Sequence, residues 1–222
     1  MLRDIKNIEG FAIGAADGVL GHVRNWYFDD ESWVLRYFVI ETGTWHANRL
    51  TLISATVMGV PDWSAKQVPA SITQEQIKNG PDARLQRHSS PESSEARRQN
   101  DLHLRSANDV MQYDVRATDG DIGQVQGLLV EEKTWAIRYV IVDTSNWWFR
   151  QSVLIAPEWI DDVHWADSKL MVDLTRQSVK EAPEYDPTAM VSREHEKILH
   201  AHYGYSGYWP IESASPGDTA IG

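Results

Sequence analysis

No cysteine occurs among the 222 residues, which removes disulfides, thiolate nucleophiles, zinc ribbons and iron–sulfur ligation from consideration. Positive charge is also scarce: 21 Lys and Arg stand against 32 Asp and Glu, a formal net charge of -11. Binding to a phosphate backbone depends on Lys and Arg displacing counterions, so nucleic acid is an unfavourable partner. Long apolar runs are missing as well. No uncharged stretch approaches the roughly 20 residues that a membrane-crossing helix needs, and the opening MLRDIKNIEG has no apolar segment behind a basic one. Together these absences predict a cytoplasmic chain with no membrane span, long enough for one large domain or two small ones.

What the sequence does contain is a copy of itself. DGVLGHV begins at Asp17 and DGDIGQV at Asp119, an offset of 102. Sliding the chain by that amount aligns residues 17–45 with 119–147 at nine identities in 29 positions without a gap. The same shift carries Leu2-Arg3 onto Leu104-Arg105, Leu52-Ile53 onto Leu154-Ile155, Trp63 onto Trp165, Thr73 onto Thr175 and Pro81 onto Pro183. Two units of ordinary domain size are therefore expected at 1–81 and 103–183. Between them, 82–102 is rich in Ser, Arg and Glu and reads as a solvated linker. A helical and aromatic tail is expected at 184–209, and the small polar end 210–222 is expected to be disordered.

Within each unit the periodicity is that of strands. Asp-Gly suits a tight hairpin turn, and the glycine three places on (Gly21, Gly123) suits a bulge or bend where a sheet curls. A second turn is expected at DDES and EEKT, before a long strand. On that strand Trp33, Leu35, Tyr37 and Val39 share one face, while Val34, Phe38 and Ile40 share the other. Both faces are apolar, as they are in the second copy, so both need cover. A barrel interior accounts for one face, and packing of the units on each other or on a neighbour for the other. Each unit closes on a short capped helix, with Thr73 and Gln76 or Thr175 and Ser178 at its start.

These residues resemble a known family. D-G-x-x-G-x-V, an acidic turn, W-x-x-R-Y and a later Leu-Ile with an aromatic-rich hairpin are similar to the PRC-barrel, in both copies, and the segment 192–209 is similar to the tail of tandem members. The resemblance implies a mainly β chain of two small PRC-type β-barrels, each six-stranded, with short helices and a C-terminal helical tail. That barrel occurs in the cytoplasmic part of the photosynthetic reaction centre H subunit and in a ribosome maturation factor. It implies a docking module, with a link to reaction-centre-type electron transfer or assembly.

The candidates for chemistry do not assemble into an enzyme signature. His195 and His200 in HEKILH are five apart, about 140° around a helix, whereas a helical zinc site needs a spacing of four. Asp17 and Asp119 read as turn residues in preference to catalytic carboxylates. The chain is expected to be non-enzymatic, with no cofactor and no metal. The candidate interface consists of Trp26, Tyr27, Arg36, Trp45, Arg138, Trp147, Trp148 and Phe149. Trp, Tyr and Arg dominate binding hot spots, and the alternative for these residues is internal packing or pairing with a carboxylate. The resulting expectation is an adaptor that binds protein partners and pairs with itself, either as a homo-oligomer or unit against unit, with YGYSGYW covering a seam. A ribosome or RNA-processing factor and a quinone-like small-molecule binder are the other readings.

Overall fold

The computed structural model describes residues 1–43, 49–78, 103–144 and 151–209. The linker 82–102, the end 210–222 and the candidates Trp45, Trp147, Trp148 and Phe149 lie outside the described residues. The chain is mainly β, with two sheets and short helices. The first half contributes β1 (Leu2–Asp4), β2 (Ala12–Ala15), β3 (Gly18–Asp29), β4 (Val34–Thr42), β5 (Leu50–Ser54) and β6 (Gln67–Pro69). The second half contributes β7 (Leu104–Ser106), β8 (Asp114–Ala117), β9 (Gly120–Glu131), β10 (Ile137–Asp143), β11 (Ser152–Ile155), β12 (Ile160–His164) and β13 (Lys169–Val172). Each strand of the first half has a counterpart starting 102 or 103 residues later.

One sheet runs β5-β4-β3-β2-β6 and the other β11-β10-β9-β8-β13-β12. Neither closes on itself among the described residues, so the closed barrels expected from the sequence are not seen. In the first half β5 ends in a 3-10 turn at Ala55–Val57. Beyond that turn only single bridges, Met58 with Ala70 and Asp62 with Gln67, continue the pairing.

The Asp-Gly motif works at two places. Gly21 (φ 157°) and Gly123 (φ 152°) sit in β3 and β9 where the register with β2 and β8 shifts. A Cβ at either position would overlap a neighbouring strand's carbonyl oxygen, that of Glu41 or Asp143, so only glycine allows the approach. The aspartates do more than turn the chain. Asp17 accepts the backbone N–H of Gln74 at 3.0 Å, and Asp119 that of Arg176 at 2.7 Å. Each carboxylate thereby ties its hairpin to the first turn of the short helix that ends its unit, Gln74–Lys78 or Arg176–Lys180. Ser178 completes the same capping box that Gln76 completes in the first unit.

The repeat does not reveal how the halves are joined. β1, from the first half, pairs antiparallel with β9 of the second, Leu2 opposite Glu131 and Asp4 opposite Leu129. β7, from the second half, pairs with β3 of the first, Leu104 opposite Asp29 and Ser106 opposite Tyr27. Shifting one residue of each pair down by 102 and the other up by 102 turns one register into the other: the halves exchange their first strands. Between them Val34 bridges Ala136, its own counterpart, which puts a pseudo-two-fold axis at that contact. A single buried apolar cluster extends through both halves, with Trp26, Phe28 and Phe38 in the first and Tyr139 and Trp159 in the second.

Candidate docking surface

The acidic turns lead directly to the seam. Trp33 and Trp135 each end a turn with positive φ, 52° and 58°, a conformation that is unusual for a bulky side chain. The reason lies in the opposite half. With that twist the Trp135 carbonyl accepts the Leu35 N–H at 2.9 Å, and the Trp33 carbonyl accepts the Ile137 N–H at 2.7 Å. The Trp135 ring packs edge-on against Phe38 with centroids 4.8 Å apart. Each turn of one half is thus built into the other.

Charged residues brace the exchanged strands in a matching way. Arg3 on β1 donates to Glu132 at 3.2 Å while its guanidinium lies 4.6 Å from the Trp63 ring. Arg105 on β7 donates to Asp30 at 2.7 Å and lies 4.3 Å from the Trp165 ring. Glu132 is buried and also accepts the Trp63 indole N–H at 2.6 Å, as a desolvated carboxylate needs.

The outer face of β10 is covered by the tail. Ser192 caps the C-terminal helix, Arg193–Tyr203, which ends at Gly204 in the left-handed conformation. Its buried face mixes apolar and polar side chains: Leu199 is buried together with Glu196 and His200, while Ile198 is exposed. The polar pair is buried because β10 offers it a partner. The Tyr139 hydroxyl lies 3.1 Å from Glu196, to which it donates, and 2.9 Å from His200 Nε2. Tyr208 donates to Glu196 at 2.8 Å, Arg193 pairs with it at 2.8 Å, and His200 Nδ1 meets the Ser206 carbonyl at 3.0 Å. Around this cluster pack Trp159, Tyr203 and Tyr205, with Trp159 and Tyr205 stacked at 5.4 Å. Burial, then the Glu196 charge, pushes the Tyr139 hydroxyl far above the ordinary tyrosine range, and burial with the bond to Glu196 raises Tyr208 to about 12. Both remain neutral donors at any physiological pH.

The sequence candidates separate. Trp26 is fully buried in the core, opposite Phe38 on the neighbouring strand, and Tyr27 lies opposite Ser106 of the exchanged strand β7. Trp26 has no exposed surface in this state, whereas Tyr27 is partly exposed. Arg36 pairs with Asp29 at 3.5 Å, and Arg138 with Glu131 at 2.6 Å. Arg138 also lies 4.0 Å from the Tyr208 ring. His195 and His200 do not converge, and among the described residues no three His, Asp or Glu side chains gather as a metal site. No helix among them is long and apolar enough to cross a membrane.

Sequence reasoning missed Tyr139, Glu196 and His200 as one cluster. The available signal was the spacing of four between Glu196 and His200, which places both on one helix face. Leu199 and Tyr203 mark the same face as apolar, but nothing local indicated that the polar pair would be buried with them. Comparison of the chain with protein-family models and with curated proteins gave no match.

Proposed function

We propose that the chain is a non-enzymatic adaptor made of two PRC-barrel-type units, whose task is to hold protein segments on the outer faces of β4 and β10. The observation that carries this reading is the tail: one amphipathic helix followed by an aromatic segment is docked on β10 through a buried polar cluster and an arginine–tyrosine stack. A face that seats one such segment has the chemistry to seat others. The PRC-barrel reading is supported by the repeated DGxxGxV motif and by the six strands of the first sheet, curled at Gly21. A place beside reaction-centre-type electron transfer or assembly is implied by the resemblance alone. The acidic excess argues against an RNA-processing role.

Affinity capture with the tagged full-length chain, read by both mass spectrometry and recovery of crosslinked RNA, tests the proposal. The expected result is a small set of proteins retained at physiological salt, with Trp147→Ala plus Trp148→Ala as a companion to locate the contact. Enrichment of RNA, or of no protein above the tag alone, would overturn it.

A further inference from the structure

The two halves carry equivalent grooves that are not equally covered. The first, about 440 Å³, lies between Leu35, Arg36 and the 54–58 segment of the first half and the Lys133–Trp135 turn of the second. The second, about 400 Å³, lies between Ile137, Arg138 and the 156–160 segment of the second half and the Glu31–Trp33 turn of the first. Adding or subtracting 102 converts one lining into the other. In the second groove Tyr208 supplies a further wall, and its ring leaves the Arg138 side chain only 26% exposed. In the first groove no described residue takes that place, and Arg36 is 49% exposed.

The charges differ in sign. Arg36 and Lys133 against Asp29 leave the first groove positive, whereas Glu31 and Glu158 against Arg138 leave the second negative. The second groove accordingly takes a tail whose Tyr208 is flanked by Arg193, 5.0 Å from its ring. No described residue occupies the first. The chain's tail is already engaged, and residues 79–102 and 210–222 contain no Tyr, Trp or Phe. Trp45, Trp147, Trp148 and Phe149 lie outside the described residues, while β4 and β10 end at Thr42 and Asp143.

We propose that the first groove binds a tyrosine flanked by carboxylates, presented by a partner protein: its ring lies against Arg36 as Tyr208 lies against Arg138, and its acidic neighbours face Lys133. The proposal rests on the adaptor reading and gives it a ligand chemistry.

The test titrates the full-length chain with three synthetic hexapeptides, Ser-Gly-Glu-Tyr-Asp-Gly, its basic counterpart with Lys on both sides of the tyrosine, and its alanine counterpart lacking the tyrosine, followed by backbone amide NMR. Arg36 and Lys133 are exposed side chains, so the Arg36→Ala and Lys133→Glu variants keep the fold, which thermal unfolding checks. The acidic tyrosine peptide is expected to shift the amides of Leu35–Tyr37 and Lys133–Trp135, to bind about tenfold more weakly to either variant, and to lose its preference over the basic peptide in Lys133→Glu. Equal binding of the alanine peptide, affinity unmoved by both variants, or no binding at about 1 mM peptide would overturn the proposal. A concentration-dependent dimer abolished by Arg36→Ala would overturn it in favour of a second copy on the groove. Partner capture that survives both variants would remove the groove while leaving the adaptor standing.

Discussion

Tyr139 is the residue on which the tail depends, because a single hydroxyl contacts two side chains that would otherwise be buried with one partner fewer. Leaving buried polar groups short of a partner costs about 1–3 kcal/mol. Tyr139→Phe is expected to destabilise the chain by that amount in urea unfolding and to increase proteolysis within the tail first. Glu131 makes a different kind of prediction. Burial would raise its carboxyl, but hydrogen bonds from Arg138 and Thr134, together with the Arg138 charge, outweigh it and hold the group below its ordinary 4.5. The unfolded chain therefore takes up this proton first as the pH falls, so the stabilisation is present above 4.5 and is lost as the pH drops through the folded value. Glu131→Gln is expected to cost roughly 1 kcal/mol at most at pH 7, the pair being partly solvated, with the difference from wild type vanishing in acid. At this scale the sequence was a mixed guide. The arginines were found on the expected strand, but Trp26 was picked as a contact residue and lies in the core, because strand alternation across a bulge does not tell inside from outside.

The strands and short helices were the most legible elements, since period-two patterning, Asp-Gly turns and capping residues act locally. Gly123 shows how local that information is. The motif identified it as a bend, and the structure adds the reason, a carbonyl of the neighbouring strand where a side chain would stand. Gly123→Ala is expected to lower stability by about 1–3 kcal/mol, combining a left-handed backbone with a steric clash. Gly204→Ala, at the end of the C-terminal helix with open space around it, has only the backbone cost and should lose about 1 kcal/mol. Thermal unfolding of the two variants side by side separates the terms. A helical tail was expected, but the burial of Glu196 and His200 beside Leu199 was not legible, because it depends on Tyr139, which belongs to another element.

At the scale of the molecule the sequence shows a duplication and is silent about its geometry. A copied strand pairs equally well with its own unit or with the equivalent place in the other, because the two sites share one pattern. The choice between them leaves no signature in either strand. Exchange has a functional consequence. It joins the halves into one cored body and builds each groove from both, and the tail lines one groove through Tyr208 while no described residue takes that place in its twin.

The absence of cysteine makes the exchange directly measurable, because any introduced pair reports alone. Under mild oxidation Leu2→Cys with Glu131→Cys is expected to form an intramolecular crosslink in the monomer, joining β1 to β9. Leu2→Cys with Asp29→Cys, the pairing each unit would make if it kept its own first strand, is expected to remain reduced. A crosslink in the second pair and none in the first would contradict the account.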